Sequence, residues 1–172
     1  MPRYSPAALV LLSTLGGVIH AQQPDAARPT YQLRMNQAQP GSLDRSPMAS
    51  NAPYPLDKRY EQFTETEKNT LRSFYEGMPA TDDPPFPLSG MKGVIADLGK
   101  IATLQQSEGD ITIFVAVNEQ GEATSAKLLK YPSLEIAQAV AFVLIKTKYK
   151  PARCSGQPCP QDFPFRFRLT SQ

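Results

Sequence analysis

Apolar and polar positions change period several times along the chain. Leu71, Phe74, Tyr75 and Met78 recur at helical spacing behind Thr64-Glu65-Thr66-Glu67, a capping box with Thr64 at the N-cap and Glu67 three residues on. Gly77 is a natural stop for that helix. Met91, Val94, Ile95, Leu98, Ile101 and Ala102 form a second stripe, which predicts a helix from Gly90 to about Gln105 with Ser89 able to cap it. Period two then takes over. Ile111, Ile113, Val115 and Val117 alternate with Thr112, Phe114 and Ala116, and Asn118-Glu119-Gln120-Gly121 reads as a tight turn. Ala123 to Leu129 returns as the second strand of a hairpin. A third helix runs from Ser133, its cap, to about Thr147, and its stretch Ala139 to Ile145 is apolar nearly all round. The last strand places Phe163, Phe165, Phe167 and Leu169 on one face and Arg166 and Arg168 on the other, with Pro164 marking a strand start or an edge.

The order helix, helix, strand, strand, helix, strand predicts an α+β fold: a small three-stranded antiparallel sheet packed by helices. The third strand is expected to cross over the hairpin and pair with the first, leaving strands two and three as edges. An all-round apolar helix must be covered by its own domain or meet another protein. Burial by the first two helices is the simpler expectation.

Composition adds the flanks. Arg3, the run Ala7 to Leu12 and its fading continuation to Ile19, then Ala21, follow the plan of a cleaved signal peptide over 1–21. The apolar run is shorter than the roughly 20 residues that a spanning helix needs. The alternative is a retained inner-membrane anchor. Residues 22–59 are rich in Gln, Ser and Pro and poor in large apolar side chains, which predicts a disordered leader. A helical segment over 60–106 and a sheet domain over 107–172 complete the expected organisation. Thr81 to Pro87 is an extended, proline-locked connector, and the adjacent Asp82 and Asp83 in it are expected to form a solvated turn.

Charge and chemistry then narrow the function. The chain has 18 Lys+Arg against 16 Asp+Glu, a near-balance that argues against a nucleic-acid or membrane-surface hold. The one histidine, His20, lies in the expected signal peptide, so no imidazole base, His-containing metal site or Ser-His-Asp arrangement is available to the exported chain. No glycine-rich phosphate loop follows a strand. These absences predict a binding module with no catalytic, metal or cofactor residues. Cys154 and Cys159 are the only cysteines. In an exported chain they read as a disulfide closed by the Gly156 and Pro158 turn, and their four-residue spacing is not that of a redox-active dithiol. If the last strand is an edge, Phe163, Phe165, Arg166, Phe167 and Arg168 are the candidate partner-binding residues, by strand addition. Proline and arginine on an edge serve equally well to block unwanted pairing.

From Glu108 to Leu169 the chain resembles the TonB C-terminal domain family. The marks are Glu108-Gly109 before an alternating strand, Val117-Asn118-Glu119-Gln120-Gly121 at its end, and a strand closing near Leu129. An apolar helix leaving through Tyr149-Lys150-Pro151-Ala152, a Gly156-Gln157-Pro158 turn and a final aromatic strand follow in order. Pro84-Pro85-Phe86-Pro87 is similar to the proline-aromatic-proline segment ahead of that domain. The resemblance implies a periplasmic module whose last strand receives a short segment of an outer-membrane TonB-dependent receptor. A self-associating envelope protein, dimerising through the third helix or by strand exchange, is the alternative from another class. A membrane-anchored energy transducer is a further one if the N-terminal segment is retained.

Overall fold

The structure, a computed structural model, describes residues 30–34, 55–105 and 108–169. The expected signal peptide and leader residues 22–29 and 35–54 lie outside the described residues. Among those described, no helix is long and apolar enough to cross a membrane.

The chain is mixed α+β. A 3-10 turn at Tyr60–Gln62 leads into α1 (Glu65–Arg72), β1 (Phe86–Pro87), α2 (Lys92–Gln105), β2 (Gly109–Val117), β3 (Ala123–Lys130) and α3 (Leu134–Lys146). Four strands follow: β4 (Tyr149–Lys150), β5 (Ala152–Cys154), β6 (Gln157–Cys159) and β7 (Gln161–Leu169). The main sheet is antiparallel in the order β3-β2-β7, with β2 in the centre. Two small ribbons, β1-β4 and β5-β6, lie beside it.

The alternation in β2 and β7 produces the core directly. Ile111, Ile113 and Val115 stand opposite Phe167, Phe165 and Phe163, and all six are buried. Met91 just before α2, Val94, Leu98 and Ala102 on it, and Ile136, Val140 and Leu144 on α3 complete it. Tyr60, Phe63, Leu71 and Phe86 enter this same core, so residues 60–105 pack as one body with the sheet. Phe86 meets Phe163 edge to face, with ring centroids 6.0 Å apart.

Local chemistry sets the element ends. Thr64 and Glu67 form the expected reciprocal capping box on α1. Ser133 accepts the Ile136 N–H at the start of α3. In the hairpin, Gly121 has φ 78°, and a Cβ there would lie 2.0 Å from the Tyr149 carbonyl oxygen. Only glycine fits that close approach.

Several expectations are corrected. The first helix ends at Arg72 rather than at Gly77. Phe74 and Tyr75 N–H groups bond three residues back, to Leu71 and Arg72, which tightens and closes the last turn. Tyr75 instead bridges Leu33. The second helix begins at Lys92, because Gly90 has φ 79° and turns against the Lys58 carbonyl. The leader is not wholly without structure: Leu33 pairs with Tyr75, Arg34 N–H donates to Phe74 O at 2.9 Å, and Glu76 N–H donates to Gln32 O at 2.8 Å. That segment is held by hydrogen bonds rather than by a large apolar surface, which composition alone does not report. Helix α3 is not fully covered among the described residues. Phe142 is 63% exposed, and Leu134 and Ile145 are also exposed, because α2 packs against only part of it.

Candidate functional site

Strand β7 carries the residues expected to bind a partner, and the fold divides them. The side chains of Phe163, Phe165 and Phe167 are buried in the core, so they present no side-chain surface to a ligand. Any part they take in strand addition is through the backbone. Arg168 is exposed, and Arg166 is half-buried, with its guanidinium 5.9 Å from the Phe114 ring centroid. Among the described residues no strand pairs with β7 on the flank away from β2. Pro164 stands opposite Phe114 in the ladder. Lacking an N–H, its backbone nitrogen is compatible only with the outer flank, and strand alternation turns Asp162, Arg166 and Arg168 the same way. At the head of the strand Tyr75 OH donates to Asp162 O at 2.8 Å. The open length of the edge therefore starts after Asp162.

Cys154 and Cys159 are disulfide-bonded, with Cα atoms 5.8 Å apart across the β5-β6 ribbon. Their turn places Ser155 at φ 51°, and the Ser155 N–H donates to Asp82 Oδ1 at 3.0 Å.

That contact belongs to a polar cluster that overturns the expected solvated turn. Asp82 is 1% exposed. The extended connector does send Asp82 and Asp83 to opposite sides, but each side is walled. Asp82 Oδ2 accepts the Tyr31 hydroxyl at 2.6 Å, and the Asp82 carbonyl accepts Arg72 Nε at 2.8 Å. Asp83 Oδ1 accepts the Tyr60 hydroxyl at 2.6 Å and lies 3.3 Å from Arg72, while Oδ2 lies 3.4 Å from Lys150. The Asp83 backbone exchanges two hydrogen bonds with Arg153. Burial alone would push the Asp83 carboxyl up, but the Tyr60 hydroxyl and the Lys150 ammonium outweigh it and hold it below the usual carboxylate range. Burial lowers the Lys150 ammonium, with Asp83 opposing. Lys150 also sits 4.3 Å from the Tyr60 ring centroid. Burial, aided by Asp83, raises the Tyr60 phenol. These groups answer one another, and the cluster reads as an internal brace between α1, the connector and β4-β5.

A third feature is a groove of about 440 Å³ beside the exposed α3 face, between the turn before α2 and the end of α3. Pro87, Gly93, Val94, Phe142, Val143 and Lys146 line it. Among the described residues no three His, Cys, Asp or Glu side chains gather as a metal site.

Sequence reasoning missed Tyr31, Tyr75, Asp82 and Gln161. The Tyr31 N–H donates to Gln161 Oε1 at 2.9 Å, Gln161 Nε2 donates to the Tyr31 carbonyl, and Arg166 donates to the Arg34 carbonyl. One signal was present. Tyr31 and Leu33 alternate with polar Gln32 and Arg34, a short strand-like stretch inside a leader otherwise poor in large apolar residues. No family model matches this chain, and no curated protein matches it in sequence.

Proposed function

We propose that this chain is an exported binding module of the TonB C-terminal type, which takes an extended segment of a protein partner by strand addition along β7. An outer-membrane TonB-dependent receptor is the partner that the resemblance favours. The observation that carries the reading is the nine-residue strand β7, paired on one flank by β2 and, among the described residues, by no strand on the other. The Cys154–Cys159 disulfide is compatible with an oxidising compartment such as the periplasm. Peptides from receptor N-terminal segments, titrated into the full chain, are expected to shift the amides of Arg166 and Arg168 most, the outward-facing ones on the open length of β7. Saturating peptide with no shift between residues 163 and 169 would remove the proposal. N-terminal sequencing of the exported protein decides between a cleaved module and an anchored transducer.

A second reading has its own observation. Phe142 and Ile145 stand exposed on α3 beside the groove, which favours a homodimer built on that helix. Solution mass distinguishes the two, since a clean monomer at high concentration rules out the dimer.

A further inference from the structure

The contacts around Tyr31 have the form of peptide recognition. Four groups of the folded domain converge on residues 30–34. Gln161, only 6% exposed, pairs its side-chain amide with both the N–H and the C=O of Tyr31, as a neighbouring strand would. Asp82, 1% exposed, takes the Tyr31 hydroxyl. Residues 74–76 form an antiparallel bridge around Leu33, with one hydrogen bond on each side of it. Arg166 closes the far end on the Arg34 carbonyl. The Tyr31 ring packs on the small cluster of Ala152 and the disulfide.

The occupant buries little apolar surface, although it is hydrogen-bonded along its length. Tyr31 and Leu33 are half-buried, while Thr30, Gln32 and Arg34 are exposed. Such a segment can open locally while the core stays folded. The domain side is the reverse: a buried carboxylate and a buried amide sit ready for an incoming tyrosine and its backbone. A site that grips backbone at Tyr31, Gln32 and Arg34, reads one hydroxyl and half-buries Leu33 suits an extended peptide with tyrosine followed, two residues later, by an aliphatic side chain. Beside the seated segment a groove of about 460 Å³ continues over Phe114, Ala116, Thr124 and Lys127, with room for flanking residues of a longer peptide.

We propose that this is a second peptide-recognition site, adjoining the β7 edge and sharing Arg166 with it, whose ligand is an extended Tyr-x-Leu stretch of a partner protein. Leader residues 30–34 occupy it in cis and act as an internal competitor until that peptide displaces them. Burial and Asp82 raise the Tyr31 phenol to about 12, in keeping with a hydroxyl that donates to that carboxylate.

The probe is a fluorescent peptide with the sequence of residues 28–34, Arg-Pro-Thr-Tyr-Gln-Leu-Arg. It is titrated into the full chain and into a full-length Tyr31→Ala/Leu33→Ala variant, with anisotropy as readout and thermal unfolding as the fold control. The variant, its own leader weakened, is expected to bind the probe at least ~10-fold tighter than the unsubstituted chain. Replacing tyrosine by phenylalanine in the probe should weaken binding about 10-fold, since the lost bond is to a carboxylate. Adding Gln161→Met to the variant should weaken it further. Should the double variant not fold, Tyr31→Phe replaces it. Equal binding to both chains, or none to a folded variant, overturns the proposal. Doubled mass in the absence of probe would also overturn it, by showing exchange of leaders between two copies of this chain. This test reads Tyr31, Asp82 and Gln161 and is unaffected by failure of strand addition at residues 163–169.

Discussion

The Asp82–Asp83 connector and helix α3 reverse the ordinary relation between residue type and burial. Of two adjacent carboxylates between prolines, Asp82 sits inside at 1% exposure and Asp83 is half-buried. The most apolar helix among the described residues leaves Phe142 63% exposed. The connector is buried because every charge in it meets a partner: Arg72, Lys150, two tyrosine hydroxyls and the Ser155 amide. Burial of charge is tolerated when each charged group is hydrogen-bonded and paired. Helix α3 is exposed because the sheet and α2 cover only the stripe of Ile136, Ala137, Val140 and Leu144. Hydrophobicity creates a demand for cover; geometry decides whether the demand is met.

The largest effect should come from breaking the connector. Asp83→Ala leaves the buried Arg72 guanidinium and the half-buried Lys150 ammonium facing the Tyr60 hydroxyl without the carboxylate they share, although Arg72 keeps Glu65 3.5 Å away. A loss of about 3 kcal/mol in urea unfolding is expected; a loss under about 1 kcal/mol would mean that water already serves those cations.

Next is the ribbon that closes over Asp82. Replacing both cysteines, Cys154→Ser with Cys159→Ser, should cost about 2 kcal/mol, the value for closing so short a loop. Hydrogen exchange at the Ser155 amide should quicken, because that donor is fixed by the cross-linked turn. A disulfide that acts only on the unfolded chain would lower stability but leave this amide protected.

Acid offers a graded test. The folded-state carboxyl of Asp83 lies below its unfolded value of about 4. Its stabilisation is therefore fully present above about pH 4 and is lost as pH falls through the folded value. Urea midpoints should drop as pH falls below about 4, and the drop should be shallower in Asp83→Asn. Identical slopes would show that Glu65 and Glu67, whose carboxyls Lys68 and Lys58 also hold low, carry the acid sensitivity instead.

The smallest effect is expected on α3. Phe142→Ser should change stability by less than about 0.5 kcal/mol, the range for surface positions. A loss well above about 1 kcal/mol, with a concentration-dependent midpoint, would show that a second copy covers the helix.

Regular elements were legible in the chain because their signals are local and repeated. The two-residue period of β2 and β7 places Ile113 and Phe165 inward whatever else the protein does, and Thr64 with Glu67 marks a helix start by hydrogen bonds only three residues apart. The sheet order β3-β2-β7 followed from the short hairpin and the one long connection. The polar cluster was illegible because its members are far apart in sequence. Tyr31 reaches Asp82 across 51 positions and Gln161 across 130. Nothing local distinguishes an aspartate that will meet a distant tyrosine from one that will meet water. Residue order thus determined which side chains point together along each helix and strand, since backbone periodicity is a property of neighbours. Tertiary structure alone decided which helix face stays bare, which carboxylates are enclosed, and where the leader docks, because burial depends on what the rest of the chain brings alongside.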